Sequence, residues 1–193
     1  MSPTPRWPGA DPQFRRLHED DLSALLALQE ANLHDNLTPA QRSHGFLSAR
    51  FRADQFAEMN RGGAVIVAHI PAGIGGYLCG STVEFNRAFP LLATMIEAYP
   101  GVQFRGRALD GWTSFVYGPV CIGAHARGQG LLRGMYLALL QEMRGRFDVG
   151  VAFVSESNPH SLSAHIQGLG MSDAGGFEFA QRRYRILAFS TQD

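Results

Sequence analysis

Val120 to Leu140 reads VCIGAHARGQGLLRGMYLALL: an apolar segment, a turn punctuated by glycine, and then a helical pattern. From Gly130 onward Leu132, Met135, Leu139 and Met143 recur at helical spacing, and the helix is expected to end near Gly145. Where it starts, Arg127, Gly128, Gln129 and Gly130 place several backbone N–H groups that have no intrahelical partner. Such a start, reinforced by the helix dipole, attracts anions. Glycines let a ligand approach the backbone closely and Arg127 adds a positive charge, so a phosphate or pyrophosphate is the natural occupant. The same glycines also suit a plain strand-to-helix turn, and the pattern alone leaves both readings open.

Upstream, WTSFVYGPVCI is an apolar run suited to a central strand, interrupted by Gly118 and Pro119. Proline cannot donate to a ladder and glycine weakens one, so the pair marks a bulge or a place where neighbouring strands part. Downstream, VGVAFVS reads as a buried strand, and strand, helix, strand implies a crossover between parallel neighbours. NPHSLSAHIQGLG predicts another short helix, and GGFEFAQRRYRILAF two closing strands with a turn near Gln181.

The first half predicts a short strand at FRRL and a helix over HEDDLSALLALQEANL, where Leu22, Leu25 and Leu26 share a face. A second helix is signalled by Thr38 as N-cap and Pro39 at its first position, running on through Phe46, Phe51 and Phe56. GGAVIVAHI and GIGGYLCGSTV flank PAG as an antiparallel hairpin. Residues 1–12 read as a flexible tail and 13–193 as one domain, with an insertion around 85–111 that carries a short helix over PLLATMIEAY.

Composition narrows the function classes. Lys and Arg number 17, as do Asp and Glu, so the chain lacks the positive excess of a nucleic-acid footprint. No apolar run approaches a membrane span, and the proline-rich start lacks a signal peptide's apolar core, so a soluble protein of the cytoplasm is expected. The two cysteines, Cys79 and Cys121, and the histidines His18, His34, His44, His69, His125 and His160 form no metal-ligand spacing.

Two phosphate motifs compete for the turn. Gly128, Gly130 and Gly134 are spaced G-x-G-x-x-x-G rather than as the dinucleotide fingerprint, although Glu156 sits where its ribose acid would, and too little chain follows for a doubly wound sheet. A Walker motif is absent. The stretch instead resembles the GNAT superfamily of acyl-CoA N-acyltransferases, whose pattern is Gln/Arg-x-x-Gly-x-Gly/Ala. Arg127 and Gly130 match its first two fixed positions, and Leu132 stands where the third is usually small. Asn158 to His165, NPHSLSAH, is similar to the Asn-x-x-Ser-x-x-x-His segment of phosphinothricin acetyltransferase-like members; Leu169-Gly170-Met171 follows it one residue displaced from the family's Leu-Gly-Phe.

The resemblance implies an α/β fold with a GNAT-like mixed central sheet, splayed parallel strands and flanking helices. It implies an acetyl-CoA-dependent N-acetyltransferase that moves acetyl to a primary amine of a small molecule or peptide, directly and in a ternary complex, with no metal. Acetyl-CoA would be held by Val120, Cys121, Ile122, Arg127, Gly128, Gln129, Gly130, Leu131, Leu132, Asn158, Ser161 and His165. His165 would protonate the leaving thiolate; Glu156, Glu84 and Tyr117 are the candidates around the acceptor. Each has a plainer alternative: a hydrogen-bonded helix histidine, solvated surface carboxylates, a core tyrosine, an N-cap for Asn158. Cys121, in an apolar strand without an activator, suits a buried structural thiol better than a nucleophile. Phe46, Phe51 and Phe56 are expected to help line an apolar acceptor pocket. The other readings are an acyl-CoA-binding or regulatory module without chemistry, and a nucleotide-dependent oxidoreductase. Closing strands of such folds often pair between subunits, which leaves a homodimer open.

Overall fold

The computed structural model describes residues 10–42, 45–47 and 49–192. Residues 1–9 of the expected tail, and His44 of the histidine set, lie outside the described residues. In chain order the elements are β1 (Gln13–Arg16), α1 (Leu22–Asn32), α2 (Pro39–Arg42), α3 (Ala53–Gly62), β2 (Ala64–Ile70), β3 (Gly73–Thr82), α4 (Val83–Asn86) and α5 (Pro90–Glu97). Then come β4 (Gln103–Phe104), β5 (Arg107–Ala108), β6 (Ser114–Ile122), α6 (Leu131–Met143), β7 (Val149–Ser155), α7 (Pro159–Ser163), β8 (Ser172–Phe179) and β9 (Arg182–Ser190). Seven strands form one mixed sheet in the order β1-β2-β3-β6-β7-β9-β8, and β4 and β5 form a small hairpin. Only β6 and β7 among the registered pairs run parallel, as a strand-helix-strand crossover requires.

The chain divides into two compact units, one of residues up to Cys79 with Pro119–Leu139, the other of Gly80–Gly118 with Leu140 onward. In the first, β2 is buried through Ala64, Val65, Ile66, Val67 and Ala68, which explains its unbroken apolar run. Asp21 fastens the start: it accepts from both Arg15 Nη atoms (2.7 and 3.0 Å), from the His18 N–H (2.9 Å), and lies 3.0 Å from His69 Nε2. Burial pulls its pKa up, but the Arg15 guanidinium, the His18 N–H and His69 outweigh that and hold the carboxyl below its ordinary value.

The long second helix does not form. Thr38 does cap α2, exchanging bonds with Gln41, but α2 ends at Arg42 and α3 starts afresh at Ala53. Between them the buried Gln29 amide bonds both backbone groups of Phe51 (2.9 and 2.8 Å), and Leu47 bridges to Leu33. Those tertiary bonds take the backbone groups that a continuous helix needs.

In the second unit the insertion packs one face of the sheet. Met95, Ile96, Tyr99, Val102, Phe104 and Leu109 pack against Val116, Val149, Val151, Ile186 and Ala188 of the sheet. Alternation puts Phe115, Tyr117 and Phe189 on the other face, where Phe147 and His165 meet them edge to face or tilted. The β8–β9 turn has positive φ at Ala180 (49°) and Gln181 (60°), the backbone of a tight hairpin turn without its usual glycine.

Candidate functional site

The glycine turn comes first. Leu131, Met135, Leu139 and Met143 are buried at i, i+4 spacing, so α6 starts with Leu131 anchored in the core and Leu132 only half-buried. Gly128 and Gly130 adopt φ of +72° and +81°, conformations that bend the chain into the helix and that side chains resist. A Cβ built at either would meet nothing within 4 Å, so the turn faces open space. The first bond closing onto it is from Gly134 N–H to the Gly130 carbonyl (3.2 Å), which leaves the N–H groups of Leu131 and Leu132 for an outside acceptor. Arg127 is directed inward: its Nε donates to the Ile122 carbonyl (3.1 Å) and its Nη2 to Asn32 Oδ1 (3.1 Å). It braces the end of β6 against α1 and leaves its charge beside the turn.

Asn32 escaped the sequence reading, although a buried amide at the end of an apolar helix face is a usable signal. Gly134 escaped it too: a Cβ there would sit 2.1 Å from the Phe14 ring, so this glycine lets α6 lie against β1. Val120 and Ile122 are half-buried on β6. Cys121 is buried 4.0 Å from the Leu28 carbonyl, and burial pushes its thiol up to about 12, which suits the structural reading and not a nucleophile.

The second constellation surrounds His165. The β6–β7 register runs Ser114↔Val149, Phe115↔Gly150, Val116↔Val151 and stops, whereas β7 continues along β9 to Ser155↔Tyr184. Tyr117 and Gly118 (φ +114°) therefore leave the parallel ladder, at the interruption the sequence marks. Tyr117 Oη lies 3.3 Å from His165 Nε2 and the rings meet at 88°. His165 Nδ1 is 2.8 Å from the Ser161 carbonyl and 3.3 Å from Ser161 Oγ. A carbonyl can only accept, so Nδ1 carries the hydrogen and Nε2 offers a lone pair to the Tyr117 hydroxyl. Burial pulls the imidazole pKa below its ordinary value, against the opposing Ser161 carbonyl, so the ring is neutral at pH 7.

Asn158 caps α7, its Oδ1 accepting from the Ser161 N–H at 3.0 Å, and Pro159 fills the first helical position. The segment then makes a π-helical turn over Ala164–Gly168, which houses one extra residue ahead of Leu169-Gly170-Met171. Both candidate carboxylates are exposed and paired: Glu84 with Arg87 (3.7 Å) and Glu156 with Arg185 (3.8 Å). Phe51 and Phe56 are core residues 6.0 Å apart, whereas Phe46 is exposed against His34, so the three aromatics sit in different surroundings.

No family profile matches the sequence, and no curated protein matches it. Solved structures do match. The Salmonella typhimurium protein yncA, solved with acetyl-CoA, is 17% identical with a TM-score of 0.62, over 95% of this chain and 96% of its own. The ribosomal-protein-alanine N-acetyltransferase of Brucella melitensis is 20% identical with a TM-score of 0.61, over 92% and 99%. A GNAT-family protein of Desulfovibrio desulfuricans is 13% identical with a TM-score of 0.58, over 94% and 99%. Mixed sheet, crossover and closing hairpin together give this chain the fold of the GNAT acetyltransferases.

Proposed function

We propose that the chain is an acetyl-CoA-dependent N-acetyltransferase acting on a primary amine of a small molecule or peptide, by direct transfer in a ternary complex. The observation that carries this reading is the Gly128–Gly130 turn: exposed at both glycines, with nothing within 4 Å of a Cβ built on either, and ending in unpaired N–H groups at a thirteen-residue helix. The likeness in fold to yncA, which holds acetyl-CoA, supports it.

The residues present fit such a cosubstrate. The N–H groups at the start of α6 and the charge of Arg127 would hold its pyrophosphate, and the backbone of Val120, Cys121 and Ile122 its pantetheine arm. Bound acetyl-CoA supplies an acetyl group activated as a thioester. The attacking amine loses one proton and the departing sulfur gains one, so the reaction needs a group that can hold a proton between the two. Neutral His165, with its Nε2 lone pair on Tyr117 Oη, meets that need, and the Ser161 carbonyl fixes its tautomer. Glu84 and Glu156, engaged at the surface, are assigned no step.

Calorimetric titration with acetyl-CoA, CoA and NADH tests the reading. Binding of the first two and not the third is expected; silence toward both CoA ligands withdraws the enzyme assignment. Gly130→Glu places a carboxylate against the phosphates and should weaken CoA binding by more than about 100-fold. The positive φ there should cost about 1–2 kcal/mol of stability, small enough for the variant to stay folded. Unchanged affinity would move the phosphate site elsewhere.

A further inference from the structure

Arg127 carries the positive charge beside the glycine turn, and what holds it is neutral. Its Nε donates to the Ile122 carbonyl and its Nη2 to Asn32 Oδ1, each at 3.1 Å. No carboxylate pairs with it among the described residues, whereas Arg15, Arg50, Arg52 and Arg185 each face one. Arg127 is half-buried, and two uncharged oxygens leave its full charge for an incoming anion. A carboxylate in either place would cancel that charge. Of the five N–H groups of a guanidinium two are used here, and the others stand uncommitted one residue before Gly128.

Asn32 is fixed on every side. It is the last residue of α1 and only 5% exposed. A guanidinium can only donate and a carbonyl can only accept, so the amide has one orientation: Oδ1 to Arg127, and Nδ2 to the Leu28 carbonyl at 2.8 Å. Its own carbonyl takes the Leu47 N–H at 2.9 Å, which secures the end of the helix. The guanidinium is thus ordered before any ligand arrives and has little side-chain freedom left to lose on binding one.

We propose that Asn32 is a positioning residue for the cosubstrate: it holds the Arg127 guanidinium beside the Gly128–Gly130 turn, and its lack of charge reserves that guanidinium for a diphosphate. The inference rests on the acetyl-CoA reading of the turn. It adds a residue 95 positions away in sequence, which acts through Arg127.

CoA is titrated calorimetrically into the wild type, Asn32→Leu, Asn32→Asp and Arg127→Gln, at about 20 and about 500 mM NaCl, and the melting temperature of each free protein is recorded. At low salt Asn32→Leu, which releases the guanidinium, should weaken CoA about fivefold. Asn32→Asp keeps an acceptor for Arg127 but neutralises it, and should weaken CoA at least about tenfold, with a deficit that shrinks at high salt. A merely structural brace predicts the reverse order, since only the leucine variant breaks the bond to Arg127. In the Arg127→Gln background Asn32→Leu should cost less than about twofold more, because its effect runs through the missing guanidinium. Arg127→Gln alone reads the charge without altering Asn32, so it serves even where an Asn32 variant fails to fold, and it should weaken CoA about tenfold. The inference is overturned by unchanged CoA affinity in Arg127→Gln or Asn32→Asp, by a larger loss in the leucine variant than in the aspartate one, or by a full leucine effect without Arg127. Those results leave the acetyltransferase reading standing, provided that the wild type binds CoA; a wild type silent toward CoA removes both.

Discussion

A neutral imidazole has one bare nitrogen, and in His165 it points at a phenol. The Ser161 carbonyl at 2.8 Å decides this, because it leaves Nδ1 no choice but to donate. His165→Gln keeps a side chain that can bond Tyr117 but cannot accept a proton near neutral pH. It should lower kcat by about 100-fold with little change in KM for acetyl-CoA, measured by thiol release. Equal losses in affinity and stability would mark the histidine as structural. Both partners were visible in the sequence as candidates, yet their pairing was not, because they are 48 positions apart. Cys121 shows the reverse case: its apolar neighbours in sequence already indicated a buried thiol, and its surroundings agree.

At the scale of elements, close approach explains what spacing left open. Gly134 looked like the misplaced third glycine of a dinucleotide fingerprint, and its role is to let the Phe14 ring lie against α6. Gly134→Val should therefore destabilise the protein by about 1–3 kcal/mol, read from denaturant melts, and adding Phe14→Leu should recover part of the loss. If the two substitutions were merely additive, the contact would not be the cause. The hairpins, the crossover and the broken ladder at Gly118-Pro119 were legible because proline, glycine and period-two alternation act locally. The long second helix was predicted wrongly because buried Gln29, 22 positions away, holds Phe51 by its backbone.

For the whole molecule, the order of elements sufficed to indicate the sheet, since each crossover or hairpin admits few arrangements. Stability should respond to acid in two steps. His165 has a depressed pKa when folded, so its contribution is full above its ordinary value of 6.5 and declines as pH falls below that toward the folded pKa. Asp21 is also depressed, from 3.8, so its contribution persists until pH falls through that value and below. Melting temperature against pH should show both declines, with His165→Gln removing the first and Asp21→Asn the second. A wild-type profile flat from pH 7 to about 5 would contradict the first. The sheet's outermost strands bear on behaviour at high concentration. β1 is four residues long and ends in two arginines, and β8 carries a register irregularity between Asp173 and Gly175. Neither border presents a flat run of unpaired amides on which a foreign strand could template itself, so the fold carries its own resistance to fibril growth.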